Sequence, residues 1–147
     1  MSDIKLFTIG FTKKTAEEFF GRLIRAGVKR VVDIRLNNVS QLAGFTKRDD
    51  LRYFLRAIGG IDYVHRLDLA PTREILDAYR KAKGGWAGYE RDFLALLSLR
   101  KAEDRVNREL LHEACLLCSE ETPLHCHRRL VAEYLRDRWG DVDIVHL

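Results

Sequence analysis

A chain of 147 residues has the length of one domain with a sizeable core, and 46% hydrophobic with 33% charged residues exclude a disordered polymer. The net charge of +4 and pI near 9.1 lean toward anionic partners, but Lys and Arg are dispersed, which excludes a basic tail for nucleic acid. No apolar run approaches the ~18 residues that cross a bilayer, and Met1-Ser2-Asp3-Ile4-Lys5 lacks a signal-peptide layout, so the cytoplasm is the expected compartment and no membrane partner is expected.

Lys5 to Ile9 is a β-like run closed by Gly10. Thr15-Ala16-Glu17-Glu18 fits a capping box, and Ala16, Phe19, Phe20, Leu23 and Ile24 then mark one apolar helix face that Gly27 ends. Arg30 to Arg35 reads as a second strand, completing a βαβ unit. Thr46 with Asp49 is expected to open a helix through Leu51, Phe54, Leu55 and Ile58, stopped at Gly59-Gly60. Ile61 to Leu67 is a third strand. Pro71-Thr72 starts a helix through Tyr79, Trp86 to Arg100 forms another, and Val106, Leu110 and Leu111 suggest one more. Ala114 to Cys118 is a buried strand, Arg128 to Arg138 a helix and Val142 to Leu147 the last strand. The alternation predicts a single three-layer α/β domain over residues 1–147. Its mostly parallel sheet has about five strands, near 5–9, 30–35, 61–66, 114–118 and 142–146, with helices on both faces.

Ligands of open α/β sheets bind beyond the carboxyl ends of the strands, which directs attention to Gly10-Phe11-Thr12, residues 35–40, His65-Arg66 and residues 118–128. In the last of these a strand ends near Cys118, a loop with Pro123 follows, and a helix starts near Cys126 or His127. A thiol at a helix start is stabilised as thiolate by free amides and the helix dipole, and His127 or Arg128 beside it would add to that. Cys126 is therefore a candidate nucleophile, with Glu120 and His127 as candidate acid–base groups. The competing reading makes Cys126 a small buried hydrophobe, with His127 and Arg128 decorating the first helical turn.

Three cysteines so close together, Cys115, Cys118 and Cys126, suggest free thiols, a metal site or reactive chemistry rather than a disulfide framework. On a strand, Cys115 and Cys118 point to opposite faces, which makes Cys115 core and argues against a thioredoxin-like pair. Phosphatase-type and sulfurtransferase-type loops are excluded, since Ala132 and Leu124 stand where their Arg would be. No phosphate-binding glycine loop, dinucleotide fingerprint or zinc-protease His pair occurs. Cys118, Cys126, His127 and His65 could serve zinc or iron as a looser set. Arg35 is a candidate anion clamp or the partner of Asp33 in a structural ion pair. Trp86 and Tyr89 would cover a pocket, stack on a base or pack in the core. His146 either faces the site or finishes a strand.

With these residues in view, the chain resembles the bacterial and archaeal family catalogued as domain of unknown function 488. The resemblance rests on Thr8-Ile9-Gly10, Asp33-Ile34-Arg35, Ser40 with Gly44-Phe45, Tyr63, Trp86 with Tyr89, Cys118-Ser119-Glu120, Cys126-His127-Arg128 and His146. It implies an α/β domain with these motifs gathered at one end of the sheet, and it supplies no reaction. The leading expectation is an enzyme acting on an anionic or nucleotide-like small molecule, with Cys126, Glu120 and His127 catalytic. Arg35, Arg128, Ser40, Tyr63 and Trp86 would bind the substrate. No cofactor and no metal is assigned, and the oligomeric state is open. One rival is a nucleic-acid or nucleotide-binding module using Arg35, Arg128, Lys47 and Arg48, with Trp86 or Tyr89 stacking. The other is a metal-stabilised regulatory domain.

Overall fold

In a computed structural model of the chain, which describes residues 4–39, 44–81, 85–120 and 124–147, the five β-like runs pair into one parallel sheet. The strands are β1 (Ile4–Gly10), β2 (Arg30–Asp33), β3 (Asp62–His65), β4 (Ala114–Cys118) and β5 (Val142–His146), in the order β3-β2-β4-β1-β5. Every pairing is parallel, with Gly10 opposite Cys118 and Asp33 opposite Leu117. The helices are α1 (Ala16–Ala26), α2 (Arg48–Gly59), α3 (Arg73–Arg80), α4 (Gly85–Arg100), α5 (Ala102–Arg105), α6 (Arg108–Leu111) and α7 (His127–Trp139). The expected three-layer α/β architecture is the one adopted.

Strand alternation divides the core between the two faces. Phe7, Ile9, Val31, Cys115 and Leu117 pack with Phe19 and Leu23 of α1 and Leu51 and Leu55 of α2. Leu6, Val32, Ala114 and Leu116 pack with Phe93 and Leu97 of α4 and Leu130 and Leu135 of α7. Both faces are thus covered, and this explains why β4 is buried at every position.

Local signals hold at some ends and fail at others. Thr15 and Glu18 form the reciprocal capping box, and the Thr72 hydroxyl caps α3 by accepting from the Ile75 amide. Thr46 does not open α2. It is buried in a single 3-10 turn, Gly44–Thr46, and its carbonyl accepts from Arg35, so α2 begins at Arg48 without a side-chain cap. The helix expected around Val106 to Leu111 is two single turns, α5 and α6, with Val106 extended between them. The β2 ladder closes at Asp33 rather than Arg35, although the Ile34 amide still donates to the Leu117 carbonyl.

The order of the strands sets the position of the site. Chain leaving β2 runs to α2 on one face, while chain leaving its neighbour β4 runs to α7 on the other. Adjacent strands whose continuations part to opposite faces leave a crevice beyond their carboxyl ends.

Candidate functional site: a basic, aromatic cleft over a sulfur pair

A cleft of about 440 Å³ opens at that crevice. Its walls carry Arg35, Leu36 and Asn37 from beyond β2, and Cys118, Ser119 and Glu120 from beyond β4. Arg73, Leu76, Tyr79 and Arg80 of α3, Trp86 and Tyr89 of α4, and His125, Cys126 and His127 at the start of α7 complete it. Of the residues expected from sequence, Arg35, Trp86, Glu120, Cys126 and His127 therefore share one cavity.

The floor is made where β4 ends and α7 begins. Cys126 is the N-cap of α7, as the loop-to-helix reading placed it, and both Cys118 and Cys126 are almost fully buried. Their sulfurs are joined as a disulfide, with Cα atoms 7.4 Å apart. This corrects the expectation of free thiols at these two positions; the parallel sheet and α7 bring together two cysteines that the intervening loop separates in sequence. Cys115 is the free, buried cysteine, on the opposite face of β4, and burial pushes its thiol well up. His127 donates from Nε2 to the Ile34 carbonyl at 2.7 Å, because a carbonyl can only accept. Burial lowers its pKa from 6.5 to about 4, outweighing that hydrogen bond, so the ring is neutral and Nδ1 carries the lone pair.

Arg128, expected at the substrate, lies beneath the floor instead. It is 2% exposed and donates from Nη1 to the Cys118 sulfur at 3.2 Å and to the Glu120 carbonyl at 2.7 Å. Burial lowers it to about 10, which leaves it protonated at neutral pH. Gly10 makes this arrangement possible. A Cβ there would stand 1.5 Å from the Glu120 carbonyl oxygen and 2.6 Å from Arg128 Nη1. Thr12 ties the same two strand exits together, donating from its amide and its hydroxyl to the Ser119 carbonyl.

One wall of the cleft rests on Asp33. Arg35 forks onto its carboxylate from Nε and Nη2, both at 2.8 Å, and Nη2 also reaches the Thr46 carbonyl. Tyr63 donates its hydroxyl to Asp33 at 2.6 Å, and Asn38 donates at 3.3 Å. Burial alone would raise the Asp33 carboxyl, but the Arg35 hydrogen bonds and charge, with the Tyr63 hydroxyl, hold it below its ordinary range. Arg35 thus fills the structural ion pair that was one of its two readings. Its Nη1 has no hydrogen-bond partner among the described residues, and the residue lines the cleft. Tyr63 does not line the cleft; it props Asp33 from β3. His65 is likewise committed, with Nε2 bonded to the Arg35 carbonyl. His146 pairs with the Thr8 hydroxyl at 2.6 Å and is not among the lining residues. Ser40 and Pro123 lie outside the described residues.

Another part of the lining is aromatic. Trp86 stacks on His125 with ring centroids 5.0 Å apart and planes 24° apart, and on Tyr89 at 5.1 Å and 21°. Sequence reasoning missed His125, and also Arg73 and Arg80. Those arginines are exposed on α3, seven residues apart with Leu76 between, a spacing that puts all three on one helix face just after a strand exit. That signal was legible.

The family model described as Domain of unknown function DUF488 matches residues 15–135. The chain belongs to this family. Within the DUF488 span fall Arg35, Trp86, Glu120, Cys126, His127 and Arg128; Gly10 and His146 lie outside it. Neither a curated protein nor a solved structure matches the chain.

Proposed function

We propose that this DUF488 chain is an enzyme that holds an anionic, nucleotide-sized small molecule in the cleft and transforms it over the Cys118–Cys126–His127 floor. The observation that carries this reading is the cleft itself: three arginines, Arg35, Arg73 and Arg80, line the same cavity of about 440 Å³ as the stacked Trp86–His125 pair. That volume lies in the ordinary range for small-molecule sites. Guanidinium groups suit phosphate or carboxylate oxygens, and the exposed His125 ring, backed by half-buried Trp86, suits a base. In this reading Glu120, at the mouth, moves a proton, and the reacting atom lies over the Cys126 sulfur. Arg128 acts from beneath, fixing the Glu120 backbone and the Cys118 sulfur rather than touching substrate.

A polymeric nucleic acid is the weaker reading. Of the four cations it invoked, only Arg35 lines the cleft; Arg128 is buried inside the fold, and Lys47 and Arg48 lie outside the cavity.

Calorimetric titration with adenosine 5′-monophosphate, adenosine and inorganic phosphate tests the proposal. The monophosphate is expected to bind more tightly than either fragment. Arg80→Ala should weaken it about tenfold, the loss of one charge-assisted contact of ~1.4 kcal/mol. Equal binding of all three probes, or none, would remove the reading. Tight binding of a single-stranded oligonucleotide that survives Arg73→Ala and Arg80→Ala would favour the rival.

A further inference from the structure

We propose that in the reduced chain Cys118, Cys126 and His127 bind one thiophilic divalent ion, zinc in the first instance, with a fourth coordination position open to the cleft. The ion site stands on its own geometry; only what meets the open position rests on the cleft reading above.

Three backbone elements deliver the ligands: the end of β4, the N-cap of α7 and its first turn. One ligand atom from each lies within 4.8 Å of the others. Two ligands of one tetrahedral zinc stand roughly 3.5–4 Å apart, given bonds of ~2.0–2.3 Å. Reduction frees the two sulfurs to part, and side-chain rotations then bring the three ligand atoms to that spacing. The Cα separation of 7.4 Å for Cys118 and Cys126 exceeds the ~4.4–6.8 Å that direct disulfides usually span. It suits two sulfurs meeting on a common atom.

The surroundings are those an ion site requires. His127 spends its Nε2–H on the Ile34 carbonyl, which fixes the ring and turns the Nδ1 lone pair into the donor. A ligating His that donates its other N–H to a carbonyl is the usual outer-shell arrangement. Arg128 donates to the Cys118 sulfur at 3.2 Å, and such a donor holds a thiolate. Two thiolates and an imidazole neutralise a dication and favour zinc, cobalt or ferrous iron over magnesium or calcium. All three residues line the cleft, so the vacant side of a three-ligand site faces whatever the cleft holds. Three protein ligands with one open position is the layout of catalytic rather than structural zinc.

This assigns Cys126 as a ligand rather than the nucleophile. It also makes the disulfide and the ion exclusive states of the same two sulfurs.

The test is cobalt titration of the reduced, chelator-treated chain, followed by thiolate-to-cobalt charge-transfer absorption. One cobalt per chain is expected. The band should vanish in Cys118→Ser and Cys126→Ser, persist in Cys115→Ser, and need roughly tenfold more cobalt or higher in His127→Ala. If a Ser variant fails to fold by circular dichroism, the unaltered chain still decides: zinc should shield Cys118 and Cys126 from alkylation by iodoacetamide in peptide mapping. No charge-transfer band, a band surviving Cys126→Ser, or alkylation indifferent to zinc overturns the proposal. A chain that binds the monophosphate but no cobalt loses this inference alone; one that binds cobalt but no monophosphate loses the cleft reading alone.

Discussion

Two buried polar clusters stand side by side at the carboxyl end of the sheet, one beyond β2 and one beyond β4. In the first, Asp33 receives hydrogen bonds from Arg35, Tyr63 and Asn38, so its carboxylate is spent inside the fold and only Arg35 Nη1 is left over among the described residues. In the second, Arg128 and the Ile34 carbonyl hold Cys118 and His127, and both of these line the cleft together with Cys126. Both are conspicuous in sequence, as Asp33-Ile34-Arg35 and Cys126-His127-Arg128. Burial of polar groups therefore does not by itself mark chemistry; what marks it is whether donors and acceptors are consumed locally or left facing a cavity.

The most severe way to test that contrast is to break the first cluster. Asp33→Ala leaves the Arg35 charge buried without its counter-ion, and should cost about 3–5 kcal/mol in urea denaturation. A loss below about 1 kcal/mol would mean the network is not the scaffold described. Gly10→Ala attacks the second cluster without altering any of its side chains. The new Cβ must displace the Glu120 carbonyl and Arg128, at about 1–3 kcal/mol, and monophosphate binding should fall with it. Unchanged affinity in a folded Gly10→Ala chain would detach Glu120 from the site.

A smaller effect separates the clusters by pH. His127 is neutral in the fold because burial lowers it from 6.5 to about 4. As pH falls the unfolded chain takes up its proton first, so stability is full above about pH 6.5 and is lost as pH drops toward 4. His146, lowered chiefly by burial, adds in the same direction. Asp33, held below the ordinary carboxyl range, contributes only at lower pH. His127→Gln can still donate to the Ile34 carbonyl but does not titrate. It should flatten the fall between pH 6.5 and 4 in thermal melts; an identical slope would show that His127 is not buried neutral.

The fold was legible because its signals are local and periodic. Every strand run paired, and Thr15–Glu18 capped α1 as the spacing required. Thr46 misled because a long-range demand, the Arg35 guanidinium seeking a carbonyl, overrode a local capping pattern. The site was legible as a cluster of residues rather than as geometry. Arg128 follows Cys126 and His127 in sequence, but its side chain goes under the floor because Gly10 leaves it room. Tyr63 carries its hydroxyl to Asp33 across a pair of neighbouring strands, a relation set by sheet order that no spacing along the chain reveals. The Cys118–Cys126 approach likewise depends on β4 and α7 meeting in space.

Amide chemical-shift mapping of the ¹⁵N-labelled chain during titration with adenosine 5′-monophosphate tests the central claim most directly. The account predicts that perturbed amides gather in five segments, residues 35–37, 73–80, 86–89, 118–120 and 125–127, with the α1 and α2 face silent. Shifts centred on α1 and α2, or saturating binding that leaves residues 118–127 unmoved, would contradict it.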